Sequence, residues 1–167
     1  GIVDLETIDF IVSEDYQTVS PTESNMAIYK MDEIPYSLKT ILMLDTSPSV
    51  ADEFDDIRTA ALALVDNIVD QQEVAIYSFH SQVTLVQDYT NDKSTLIEAV
   101  NSIQVPFGSF STDLYGAVIE GVNQWEDNFD ISDEIVQGFL IAITDGSDEA
   151  SNYTLSNALN ARQDKWV

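Results

Sequence analysis

The chain has 167 residues, 44 % of them hydrophobic, which suits one packed domain and is too apolar for a disordered chain. Its 30 acidic residues against 6 basic ones give a formal net charge of -24, which argues against nucleic acid or an anionic membrane face as partner, since both need Lys or Arg to offset phosphate. The same charge favours divalent cations, a saline or calcium-rich medium, or basic partners. There is no cysteine, which does not fix the compartment of a domain this size, and no run is long and apolar enough to insert in a membrane. The start, Gly1-Ile2-Val3-Asp4, has neither the basic region nor the apolar core of a secretion signal, and reads as a piece of a longer chain.

Residues 7–12 and 26–31 read as short strands around a polar segment, so residues 1–36 are expected to form a β-rich extension. From there to residue 167 the rhythm is that of a separate α/β domain. Thr40-Ile41-Leu42-Met43-Leu44 is a near-continuous apolar run ending in Asp45, as expected of a strand buried on both faces. Phe54, Ile57, Ala61, Leu64 and Ile68 then recur at helical spacing. Val74–Phe79 and Val83–Tyr89 predict an antiparallel hairpin linked by His80-Ser81-Gln82. Leu96, Val100 and Ile103 mark a helix, with Thr95 and Glu98 as a capping box. After the loop Gly108–Ser111, the residues Leu114, Val118, Gly121, Val122 and Trp125 form another helical stripe. Phe139–Ile143 predicts a second buried strand leading into Thr144-Asp145-Gly146, and Leu155–Trp166 predicts a last helix. Strands alternating with helices imply a mostly parallel sheet covered on both faces, with ligands at the carboxyl ends of its strands.

The residues that carry chemistry lie at those ends. Asp45, Ser47 and Ser49 alternate just past the first buried strand, Thr112 stands at the mouth of a helix, and Asp145 follows the second buried strand. Two carboxylates and three hydroxyls make an all-oxygen donor set suited to a hard divalent cation: Mg²⁺ first, with Mn²⁺ and Ca²⁺ also accepted. Hydroxyls are neutral, so such a shell leaves the ion's charge poorly compensated and ready to take a carboxylate from another molecule. Each residue also has a plainer reading. The Asp45 loop is built of turn-formers, and Asp145 precedes a glycine. Thr112 has the chemistry of a helix N-cap, and Ser109 and Ser111 compete with it as the loop's ligand. Ser109, Ser111, Asp113 and Asp148 are candidates for the surrounding rim, where Asp148 and Glu149 are expected to stay solvated. His80 suits a turn better than catalysis, and Asp52, Glu53, Asp55 and Asp56 suit a helix N-terminus. The acids around Asp127, Asp130, Asp133 and Glu134 miss the EF-hand spacing.

Asp45-x-Ser47-x-Ser49, Thr112 ahead of Leu114-Tyr115-Gly116-Ala117, and Ile143-Thr144-Asp145-Gly146, in that order, resemble the von Willebrand factor A domains and their metal-ion-dependent adhesion site. Integrin inserted domains and many bacterial surface proteins are grouped there. The resemblance runs from about residue 37 to the end. It implies a Rossmann-like three-layer sandwich in which Asp45, Ser47, Ser49, Thr112 and Asp145 hold the cation. It also implies a noncatalytic adhesion role toward a protein offering Asp or Glu. Asp9–Asp15 and Ile34–Lys39 look like the lead-in of secreted bacterial members, which implies a secreted or cell-surface location. Pro48 stands where members often carry Gly, which predicts a stiffer loop. Family members carry a further strand and helix beyond this point, expected to follow in a longer chain or to come from another segment. The alternatives are a metal-braced structural domain and an assembly subunit of a chelatase-like machine. An enzyme is not expected: there is no Gly-x-Ser-x-Gly elbow, and Ser47 fills the second acidic position of a phosphatase-type Asp-x-Asp.

Overall fold

The apolar run at Thr40–Leu44 is the middle of a longer strand, β3 (Tyr36–Asp45), which forms the centre of the sheet. The computed structural model describes residues 6–20, 33–108, 111–130, 133–146, 148, 150–163 and 165. They fall into two compact units, Gly1–Pro35 and Tyr36–Val167.

In the first unit the strand expected at 7–12 does not form. Thr7–Asp9 makes one 3₁₀ turn, in which Glu6 N donates to Asp9 Oδ2 at 2.8 Å and Asp9 N donates to Glu6 O at 2.9 Å. The Asp9 carboxylate offers the backbone a local partner that competes with a strand ladder. Pairing starts later: β1 (Ser13–Glu14) runs antiparallel to β2 (Gln17–Thr18). Asp15 and Tyr16 turn between them with φ of 49° and 64°, the left-handed pair that a tight two-residue hairpin needs. The strand expected at 26–31 lies outside the described residues.

Among the described residues the second unit is an α/β fold whose four-stranded sheet is built around β3. Strands β4 (Gln72–Phe79) and β6 (Ile135–Ile143) flank β3 and run parallel to it, while β5 (Val83–Thr90) closes the predicted antiparallel hairpin. The period of two along β3 sends Leu42 and Leu44 to one face and Ile41 and Met43 to the other. Helices α1 (Phe54–Asp66) and α2 (Lys93–Ser102) cover the first face with Ile57, Ala61, Val65, Leu96 and Val100. Helices α3 (Leu114–Val122) and α4 (Leu155–Ala161) lie on the second, where Ala117, Val122 and Trp125 pack against Ile41, Met43 and Tyr77.

Three expected details differ. Thr95 lies inside α2, and the cap is Asp92, whose carboxylate accepts from Ser94 N and Thr95 N. An aspartate three residues upstream of Thr95 reaches the orphan amides from outside the helix. The last helix ends at Ala161, short of the predicted 166. It starts from a reciprocal capping box between Thr154 and Asn157, with Asn in place of the usual Glu or Gln. Strand β6 is not buried on both faces: Phe139 and Ile141 are 39 % and 36 % exposed. Leu140 and Ala142 pack against the cluster of α3 and α4, whereas on the opposite side Ile143 packs against the cluster of α1 and Phe139 and Ile141 stay exposed. Trp125 sits past the end of α3 and lies flat on Gly138, where a Cβ would collide with the indole ring.

Candidate metal centre

Strand β3 brings Asp45 to the carboxyl edge of the sheet, opposite Phe79 of β4, with its neighbour Leu44 opposite Ile143 of β6. The Asp45 side chain is fully buried, so each of its oxygens needs a partner. Oδ1 accepts from Ser47 N at 2.7 Å, and Oδ2 accepts from Thr144 Oγ1 at 2.7 Å. Thr46 donates both its amide (2.7 Å) and its hydroxyl (3.0 Å) to Phe79 O, which fastens the loop to β4. Pro48–Val50 then makes a 3₁₀ turn with Pro48 at its first position, where a missing N–H costs nothing. The stiffening expected of Pro48 is therefore spent on a turn that suits proline. This turn folds Ser49 back until its hydroxyl is 2.9 Å from that of Ser47.

Thr112 arrives from a different segment and is also buried. It does not cap α3. Asp113 does, accepting from Gly116 N at 2.8 Å through Oδ1. A Cβ at residue 116 would run into that carboxylate, so the glycine lets Asp113 fold over the helix start. Asp113 N donates to His80 O at 2.8 Å, and Ala150 N donates to Thr112 O at 3.1 Å. The end of β4 thus pins both loops: Phe79 O holds the Asp45 segment and His80 O the Thr112 segment. Asp145 follows β6 by two residues and is exposed. Gly146 turns the chain after it with φ of 92°, and Gly146 N donates to Thr144 Oγ1 at 3.1 Å.

Thr144 is the residue that the sequence reading missed. Its hydroxyl ties the third segment to the first by donating to Asp45 while accepting from Gly146. The available signal was a hydroxyl between a buried strand and an acid, one position from a residue already singled out.

The rim is less uniform than expected. Ser109 lies outside the described residues, and Ser111 is exposed beside the buried Thr112. Asp113 is occupied as the cap of α3. Asp148 is half-buried, with Oδ1 accepting from Tyr115 N at 3.2 Å, so the solvated position expected for it is corrected: the open first turn of α3 supplies an amide that draws the carboxylate inward. His80 accepts from Ser81 N at 2.7 Å through Nδ1, as a turn residue does. Asp127 is committed to the fold, with Oδ1 accepting from Trp125 Nε1 and Gly138 N.

The donor chemistry fits a hard cation. Among the described residues no three His, Cys, Asp or Glu side chains gather where they could hold a metal. An ion held at this edge would draw on hydroxyls as well as on Asp45 and Asp145. A pocket of about 280 Å³ opens beside it, lined by Val50, Glu53, Asp56, Ile57, Ile143, Thr144 and Asp145. Negative charge also reaches across the other face: the Tyr77 phenol is held above its ordinary pKa first by burial, then by Asp88 and Glu120.

This fold, with its three loops at one sheet edge, defines a class. The family model of the von Willebrand factor type A domain matches residues 40–147, and the chain belongs to that family. Solved structures agree at the level of fold. An aerotolerance-related membrane protein from Bacteroides fragilis NCTC 9343 is 17 % identical with a TM-score of 0.63, over 75 % of this chain and 62 % of that one. The vWF domain of the type V pili tip protein Mfa5 from Porphyromonas gingivalis is 15 % identical with a TM-score of 0.51, over 74 % and 44 %. Proximal thread matrix protein 1 from the mussel byssus, with a zinc-occupied MIDAS motif, is 14 % identical with a TM-score of 0.60, over 77 % and 36 %. The present chain spans less than two thirds of the length of each. No curated protein sequence matches it. Among the described residues no helix is long and apolar enough to cross a membrane.

Proposed function

We propose that residues 37–167 form a noncatalytic, metal-dependent protein-binding domain of a secreted or cell-surface bacterial protein. Asp45, Ser47, Ser49, Thr112 and Asp145 would hold a divalent cation, Mg²⁺ in preference to Mn²⁺ or Ca²⁺. The partner would offer an Asp or Glu carboxylate. The observation that carries this reading is the fully buried Asp45 joined by hydrogen bonds to both its own loop and the Asp145 segment, beside two serine hydroxyls 2.9 Å apart. When bound, the cation supplies a Lewis-acidic position that neutral hydroxyls leave under-compensated and that a further carboxylate can satisfy. The chain's own part is to hold these donors in place before any partner arrives, through Phe79 O, His80 O and Thr144. The zinc-occupied motif of the mussel protein supports a cation at such an edge. The pili tip protein supports a surface location.

The test uses a display library of peptides in which every Asp or Glu member has an Asn or Gln twin. Acid-containing peptides should be retained in Mg²⁺ and lost on adding EDTA or on changing Asp45→Ala. Retention unchanged in excess EDTA overturns the reading. One observation favours a second reading, a metal that only braces the loops: both Asp45 oxygens already have partners within the chain. In that case Mg²⁺ would raise the melting temperature while no acid-dependent peptide is retained.

A further inference from the structure

Apart from the pocket beside Asp145, a cavity of about 520 Å³ opens next to Asp113. Ser81, Gln82 and Val83 of the β4–β5 link form one wall. Asp113, Gly116, Ile119 and Glu120 of α3 form the other, and Tyr153 lines it from the segment before α4. Residues 113, 116 and 120 fall on one face at the start of α3, and Asp113 and Glu120 both line the cavity. Among the described residues no basic side chain lines it. The described basic residues that form ion pairs do so elsewhere, Lys39 with Glu73, Arg58 with Asp55 and Lys165 with Glu126, while Lys93 donates to Asp66 O and Arg162 lines a separate apolar groove. Among the described residues Glu120 makes no ion pair, and Asp113 gives one oxygen to the cap of α3. Val83, Ile119 and the Tyr153 ring offer apolar wall to an aliphatic stem.

We infer that this cavity receives a lysine or arginine side chain of the same partner whose carboxylate goes to the Asp45 edge, so that the domain reads an acid and a base together. The inference rests on the proposed metal-dependent reading. It also resolves a conflict within it, because a chain of net charge -24 repels an acidic partner unless basic groups flank the acid. The stem would lie along Val83, Ile119 and Tyr153, with its charged end between Asp113 and Glu120.

The test titrates fluorescein-labelled Gly-Ser peptides holding one Asp and, one to four positions away, one lysine or acetyl-lysine. In Mg²⁺ at least one lysine spacing should bind roughly fivefold tighter than its acetyl-lysine twin. That preference should vanish in Glu120→Gln combined with Asp113→Asn, since asparagine still caps a helix. It should persist in Glu98→Gln with Asp133→Asn, which makes the same change in net charge away from the cavity. Equal binding of every lysine and acetyl-lysine pair, with EDTA sensitivity intact, overturns the inference and leaves the metal reading standing. An equal loss of preference in both double variants also overturns it, because the whole-chain field would then explain the effect. Peptide binding that survives EDTA sinks the metal reading, and the paired recognition with it.

Discussion

Two neighbouring strands, β3 and β6, run parallel and each leads to an aspartate at the same edge, yet the two ends are built differently. Asp45 belongs to a strand sealed between helices, is fully buried, and has both oxygens held by the chain. Asp145 follows an edge strand with exposed Phe139 and Ile141, and is itself exposed. In the proposed metal site, the difference would separate two tasks. The β3 end is held by hydrogen bonds within the chain, while the β6 end faces solvent, where the proposed cation and partner would arrive.

The largest effect should follow from breaking the anchor. Asp45→Ala orphans Ser47 N and Thr144 Oγ1, so the protein should lose about 1–3 kcal/mol in a denaturant titration. It should also lose metal affinity by more than the roughly 10–100-fold typical of an outer-shell partner. Asp145→Ala sharpens the contrast. Metal affinity should fall comparably, while the denaturation midpoint stays within about 0.5 kcal/mol of wild type, as for exposed substitutions. Thr144→Val cuts the tie between the two ends. It should weaken Mg²⁺ binding by about tenfold, seen by calorimetry, with a stability loss near 1 kcal/mol.

A third aspartate provides a baseline far from the edge. Hydrogen bonds from Thr95, first its hydroxyl and then its amide, together with one from Ser94 N, hold the Asp92 carboxyl below its usual pKa. A depressed folded pKa gives stability that is complete above the unfolded value and fades as pH falls through the folded one. Replacing Asp92→Asn should therefore flatten only the acid end of the stability profile, below about pH 4, and leave Mg²⁺ affinity unchanged.

The parts legible in sequence were those where one physical demand dominates. A strand sealed on both faces must be apolar, so β3 declared itself, and an acid at its end stood out. The α1 stripe and the β4–β5 hairpin were equally plain. What escaped were choices between near-equal local partners. Thr112 and Asp113 both have capping chemistry, and only the backbone decides that Asp113 takes the cap and leaves Thr112 buried. Asp92 and Thr95 posed the same choice at α2. Asp15-Tyr16 lacks the glycine that usually marks a left-handed turn, which hid the short β1–β2 hairpin. Apolar residues on β6 suggested burial, but exposure at Phe139 and Ile141 depends on which helices reach the sheet edge. Asp148 carries no local mark of its bond to the start of α3.

Two carboxylates and three hydroxyls from separate segments are proposed to act as one cation site. Titrating Mg²⁺ calorimetrically into EDTA-stripped protein and its Asp45→Ala and Asp145→Ala variants tests it most directly. One saturable site is expected in the wild type, absent from both variants, above a weak background from the acidic surface. A stoichiometric site retained in both variants, or no site in the wild type, would contradict it.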